Sequence, residues 1–224
     1  MKGGGVKVAI LQHVETEGPG FFTEILDNRK IPFQVHRLYE TGEVPRGINS
    51  PLVILGGGMS VHDGREFPFL IGEKTVIRRY LREGRPLIGI CLGGQLLADG
   101  AGSRVYPGTR EFGWCEVEKE NQNYFKGFPA RMKVFQFHGD TFGLPEGAVL
   151  LWKGDEVKNQ MFLLGSAAGV QFHPEITVPL IREWTKDLPA REIDRLISES
   201  SRLIPPSHAF CEELVDRFLL RGMG

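Results

Sequence analysis

Two short runs, Pro51-Leu52-Val53-Ile54-Leu55 and Pro86-Leu87-Ile88-Gly89-Ile90, contain no polar side chain, and each ends in a glycine-rich turn. A strand with one face in water alternates apolar and polar residues. A strand with no polar position is covered on both faces, the setting of a parallel sheet between helical layers. These two runs therefore constrain the fold more than any other feature of the chain.

Their neighbours fit the same scheme. Residues 6–12 (VKVAILQ) and 33–38 (FQVHRL) read as strands, with a helix between Gly20 and Asn28. Residues 70–83 place Ile71, Lys74, Ile77, Arg78 and Leu81 at helical spacing, and Gly84 is a natural stop. Residues 92–100 read as a further helix. Strand and helix in alternation predict an α/β fold with a mostly parallel central sheet flanked by helices. The second half is richer in strands, at 133–137, 148–152, 161–164 and 169–173, so additional antiparallel strands are expected there. Helices are predicted over 178–187 and 190–203. Pro205-Pro206 should interrupt the pattern, with Ser207 capping a last helix to about Leu220. With 224 residues and no repeat or linker, one domain over 1–224 is expected, carrying a helical C-terminal extension over about 188–224.

The stretch that carries chemistry is Gly89-Ile90-Cys91-Leu92-Gly93-Gly94-Gln95. It puts a thiol on a sharp strand-to-helix turn with glycine at −2 and +2, the logic of a nucleophile elbow. Such a turn holds the sulfur at the C-terminal edge of the sheet, where α/β folds bind ligands. It also sits at a helix N-terminus, whose partial charge favours a thiolate. A buried packing cysteine beside two chance glycines fits the same residues. A thiol nucleophile needs a base. Of six histidines, His173 is best placed, at the end of an apolar strand with Pro174 forcing the chain away. Glu175 can turn back to hold the second ring nitrogen. A strand-end histidine beside a surface acid is the plainer reading of that segment alone. Gly56-Gly57-Gly58 follows the first apolar run, so the amides of Gly57 and Leu92 form a natural oxyanion pair. A tight turn or a phosphate loop are the other readings, although no GxxxxGK[ST] or GxGxxG pattern is present.

Composition narrows the partners. Lys plus Arg is 27 and Asp plus Glu is 28, so no general positive field exists to capture nucleic acid. No apolar run approaches the ~20 residues that span a bilayer, and the start shows no separate signal core. The three cysteines, Cys91, Cys115 and Cys211, are odd in number and far apart. A cytoplasmic protein is therefore expected, with no membrane or nucleic-acid partner. Cys115 and Cys211 read as packing residues, Arg78-Arg79-Tyr80-Leu81-Arg82 as a solvated helix face, and His62-Asp63 as a polar loop.

Taken together, the motif around Cys91, His173-Pro174-Glu175 and Leu55-Gly56-Gly57-Gly58-Met59-Ser60 resemble the class I glutamine amidotransferases. Gly58 stands where that family often has proline. The segments Met59–Asp63 and His138–Pro145 resemble its stand-alone, GMP-synthase-like branch. The resemblance implies a flavodoxin-like core and hydrolysis of the glutamine side-chain amide through a Cys91 thioester. It implies His173 as acid and base, Glu175 as its orienter, and Gly57 and Leu92 as oxyanion donors, with no metal or cofactor. Gln95, Gly58 and His138 are then expected to line the substrate pocket; a solvent-facing Gln95 and a turn-bound His138 fit equally. The ammonia acceptor would sit on a separate synthetase or acceptor subunit. A γ-glutamyl peptidase with the same triad, or an inactive interaction module, remain open alternatives. The sequence assigns no oligomeric state.

Overall fold

The computed structural model describes residues 8–220. Nine strands form one sheet: β1 (Val8–Gln12), β2 (Phe33–Arg37), β3 (Leu52–Ile54), β4 (Leu87–Ile90), β5 (Val105–Lys119), β6 (Arg131–Phe142), β7 (Val149–Gly154), β8 (Met161–Leu164) and β9 (Ala167–Val170). Their order is β2-β1-β3-β4-β9-β8-β7-β5-β6. The first five in that order pair in parallel. From β9 onward every pairing is antiparallel. The mixed architecture follows the expected one. The two wholly apolar runs become β3 and β4, the centre of the parallel half, and every residue of both strands is buried.

Six helices complete the described chain: α1 (Phe21–Asn28), α2 (Leu38–Thr41), α3 (Phe69–Glu83), α4 (Leu92–Gly100), α5 (Val178–Trp184) and α6 (Ala190–Phe218). Strand period 2 divides the core between the faces of the sheet. On β1, Val8 and Ile10 pack with Phe22 and Ile25 of α1 and with Phe210, Leu214 and Phe218 of α6. Ala9 and Leu11 face the other way, toward Ile77 and Tyr80 of α3 and Leu96 and Leu97 of α4. A third apolar group joins Trp114 and Phe135 to Ile176, Ile181 and Leu196 under α5 and α6.

Several elements differ from the sequence reading. Residues 6–7 of the expected first strand lie outside the described residues. β5 was not expected: Pro107, Gly108 and its charged residues hide a strand whose pairing with β6 shifts register between Pro107 and Glu111. β9 stops at Val170 rather than residue 173. Past it, the Gln171 amide bonds to Gln160 and the His173 amide to Phe135 of β6, so the chain leaves β4 and crosses to another strand. The buried face of α3 runs through Leu70, Glu73, Ile77 and Tyr80, while Ile71 is 60% exposed. Tyr80 is therefore not part of a solvated face; its hydroxyl donates to the Ser50 carbonyl at 2.7 Å. Finally, α6 is one helix that contains Pro205 and Pro206, and Ser207 lies inside it rather than at a cap.

Candidate active site

Cys91 links β4 to α4 with φ 50° and ψ −108°, a backbone region that costs a non-glycine residue roughly 1–3 kcal/mol. The turn is closed by glycines that leave no space for side chains. A Cβ on Gly89 would strike the Gly93 carbonyl, one on Gly93 the Ile54 carbonyl, and one on Gly94 would lie 2.6 Å from the Val170 carbonyl oxygen. The Cys91 amide donates to Val170 at 2.7 Å, tying the bend to the end of β9. Gln171 Nε2 donates toward Cys91 Sγ at 3.9 Å, and Phe137 O lies at 3.9 Å on another side.

His173 lies beside this sulfur, with Glu175 held against its ring. His173 Nδ1 and Glu175 Oε1 are 2.8 Å apart, and both side chains are almost fully buried. Nδ1 being taken, Nε2 is the nitrogen free for chemistry. The ring packs edge-on against Trp184, with centroids 4.8 Å apart. Burial acts against a charged imidazole here, but the Glu175 carboxylate and the Cys91 sulfur outweigh it and hold the pKa well above the ordinary 6.5. Such a ring can take the thiol proton and keep it until a leaving group needs it.

The Gly56–Ser60 loop forms the facing wall. A Cβ on Gly57 would lie 2.9 Å from Leu92 Cδ2 and 3.1 Å from His13 Cβ, so only glycine lets this loop meet the start of α4. Leu92 is the first helical residue, where an amide has no intrahelical acceptor. The loop is held from below by His13, whose Nδ1 lies 2.7 Å from Gly56 O and whose Nε2 lies 3.0 Å from Glu73 Oε1. Both partners are acceptors, so the ring donates from both nitrogens. Burial opposes that charge, Glu73 and the Gly56 carbonyl favour it, and the net pKa is raised above 6.5. Ser60 Oγ donates to Asp140 Oδ2 at 2.8 Å, joining the loop to the end of β6.

A cleft of about 490 Å³ opens over these groups. Cys91, Gly57, Gly58, Gln95 and His138 all line it. Gln95 is not solvent-facing: it is 3% exposed and its Nε2 donates to Asp140 O at 2.9 Å. The ring nitrogens of His138 lie 3.1 Å from Asp140 O and 3.0 Å from Glu111 Oε2, so this residue braces the wall that Gln95 also holds. Cys211 is fully buried, and burial pushes its thiol well above its ordinary range.

Residues 23–181 match the family described as "Glutamine amidotransferase class-I". The chain belongs to the class I glutamine amidotransferases. It is 31% identical over 166 residues to "GMP synthase [glutamine-hydrolyzing]" of Latilactobacillus sakei, covering 70% of this chain and 28% of the relative. It is 35% identical over 137 residues to the protein of the same name from Thermomicrobium roseum, covering 59% of this chain and 24% of that relative. The chain thus spans about a quarter of the length of the curated relatives it matches. Among solved structures, a glutamine amidotransferase from Thermotoga maritima superposes with TM-score 0.88 at 33% identity, covering 96% of this chain and 98% of that one. A second, from Methylobacillus flagellatus, gives TM-score 0.87 at 29% identity, covering 96% and 94%.

In this amidotransferase several site residues escaped sequence reasoning. Glu17 lines the cleft from the β1–α1 loop. Trp184 supports the His173 ring, and its Nε1 donates to Thr16 O at 2.9 Å. His13 and Glu73 are 60 residues apart in sequence and pair only through the fold. Glu17 alone had an accessible signal: an acid in a Gly-Pro-Gly loop directly after the first strand, at the C-terminal edge where α/β sheets bind ligands.

Proposed function

We propose that this amidotransferase hydrolyses the side-chain amide of glutamine through a γ-glutamyl thioester on Cys91, releasing ammonia for an acceptor bound by a separate protein. The observation that carries this reading is the Cys91 sulfur at a strained elbow, with the hydrogen-bonded His173–Glu175 pair beside it and Gly57 lining the same cleft. Cys91 gives its proton to His173 and its sulfur adds to the carboxamide carbon. The amides of Gly57 and Leu92 receive the oxyanion. His173 returns the proton to the nitrogen, the C–N bond breaks, and ammonia leaves. Water then attacks the thioester, His173 takes a water proton, and glutamate departs as the proton returns to Cys91. Glu175 holds the ring in the tautomer that keeps Nε2 toward the sulfur and stabilises its charged form. Gln95, Gly58 and His138 shape the pocket for the glutamyl part. Relatives named as glutamine-hydrolysing GMP synthases support glutamine as the substrate and a synthetase-type subunit as the acceptor partner. The unpaired cysteines fit a reducing compartment such as the cytoplasm. Among the described residues no helix is long and apolar enough to cross a membrane.

A γ-glutamyl peptidase is the second reading, and one observation favours it. A neighbouring cavity of about 620 Å³ shares Gly58, Met59 and Asp63 with the cleft, which gives room for a leaving group larger than ammonia. A panel of glutamine and γ-glutamyl peptides tests both, with free glutamine expected to turn over best. Cys91→Ala should abolish turnover of every substrate, and a glutamine-analogue electrophile should place one adduct on Cys91, read by peptide mass spectrometry. Unchanged hydrolysis by Cys91→Ala, or an adduct on Cys115 instead, would end the assignment.

A further inference from the structure

The hydrolysis just described leaves one acid in the cleft without a role. Glu17 makes no hydrogen bond or ion pair with any other described residue, although it lines the cleft beside Cys91. Its position is defined by Gly56. A Cβ built on that glycine would lie 2.6 Å from Glu17 Oε2, 3.0 Å from His173 Cε1 and 3.6 Å from Cys91 Cβ. Acid, imidazole and nucleophile therefore converge on a single point that only a glycine leaves vacant. Carbon Cε1 neighbours both ring nitrogens. Since Glu175 holds Nδ1, Nε2 is the nitrogen left to exchange protons with the substrate.

We propose that the Glu17 carboxylate accepts a hydrogen bond from the nitrogen leaving the γ-glutamyl carbon, and then from the water that replaces it. The inference rests on the hydrolytic reading above. The leaving nitrogen must meet His173 Nε2 to be protonated, and the attacking water must occupy the same place to be deprotonated, because deacylation retraces acylation. An amide nitrogen carries N–H groups that the imidazole cannot satisfy, since it donates to that nitrogen. An acceptor on its other side completes the set, and a carboxylate is the strongest available. Glu17 changes no proton count: the thiol proton still travels through His173 to the nitrogen, and the water proton still returns to sulfur. Burial raises the Glu17 carboxyl, while positive charge on His173 and His13 opposes that rise and favours the anion when the ring is protonated.

The test compares turnover with alkylation. A chloroketone analogue of glutamine labels the Cys91 sulfur but has no amide nitrogen to expel and needs no water. Glu17→Gln keeps the shape and offers no charge. It should lower kcat for glutamine hydrolysis roughly ten- to a hundredfold with KM little changed, the loss expected for a charged hydrogen bond. Its rate of chloroketone labelling should stay within about twofold of wild type. Glu17→Asp, which keeps the charge on a shorter arm, should fall between. If labelling slows in parallel with kcat, Glu17 acts on the imidazole or the fold and the inference fails. A raised KM with slower labelling makes it a substrate anchor and also overturns it, as does unchanged kcat. A wild-type chain that labels but hydrolyses no γ-glutamyl amide would remove the functional reading, and this inference with it.

Discussion

Cys91 holds a positive φ because its surroundings leave it no other conformation. The Gly89, Gly93 and Gly94 positions each press against backbone, which side-chain movement cannot relieve. This crowding is the physical content of the glycines that flank Cys91 in the sequence, and there the bend was legible: spacing alone placed a thiol on a strand-to-helix turn. His173 and Glu175 were legible for a related reason, since Pro174 between them keeps the segment past β9 out of strand geometry and leaves the two side chains able to meet. Gly93→Ala measures the constraint. Its Cβ would meet the Ile54 carbonyl oxygen, with the carbonyl carbon at 2.8 Å, so strand β3 and helix α4 must separate. The expected cost is about 2–3 kcal/mol, as for overpacked sites. For a chain of this size that lowers the melting temperature by on the order of 4–12 °C. Thermal unfolding followed by circular dichroism checks it, and a melting temperature within about 1 °C of wild type would contradict the packing argument.

Helix α6 shows how tertiary packing overrides local preference. Pro205 and Pro206 cannot donate to the carbonyls of Ser201 and Arg202, which is why the sequence reads as two helices. The element nevertheless runs from Ala190 to Phe218, with Leu196 in one apolar group and Phe210, Cys211, Leu214 and Phe218 in another. β5 escaped for the opposite reason. Its residues from Tyr106 to Arg110 are exposed and polar or breaker types, so alternation begins only at Glu111. The second half of α6 also reaches the His173–Ile176 segment. Ser207 Oγ donates to Pro174 O at 3.3 Å and His208 Nε2 to Ile176 O at 2.8 Å, gripping the chain on both sides of Glu175. His208 further stacks on Phe21, with centroids 3.6 Å apart. His208→Ala should therefore cost about 1–3 kcal/mol, from one hydrogen bond and one stacked pair. His208→Phe should recover the stacking share alone. Urea unfolding of the three proteins decides this; equal stabilities for wild type and His208→Ala would remove α6 as a support of the His173–Ile176 segment.

At the scale of the whole molecule, the sheet brings distant residues into buried charge pairs that no sequence pattern announces. His13 reaches Glu73 from β1 to α3, and His173 is enclosed by Glu175, Cys91 and Trp184. Both histidines have folded-state pKa values above 6.5, that of His173 well above. Between the ordinary value and the raised one, the folded chain binds protons that the unfolded chain has released. Stability must then fall as pH rises, because its slope follows the protons bound unfolded minus those bound folded. The stabilising contribution is complete below about pH 6.5 and is lost as pH climbs through the folded values. Urea unfolding from pH 6.5 to 9 should show this decline in the wild type. Glu73→Gln removes the carboxylate that raises His13, so its decline should be shallower, whatever its absolute stability. Cys91→Ala removes the sulfur that raises His173 and should flatten the curve by a separate increment. Both imidazoles lie beside Gly56 and both act on Glu17, so the double variant should depart from the sum of the two reductions, and the departure measures their coupling. Identical slopes for all four proteins would mean that neither Glu73 nor Cys91 raises its imidazole, and the electrostatic account of the Gly56–Ser60 loop and of His173 would fall together.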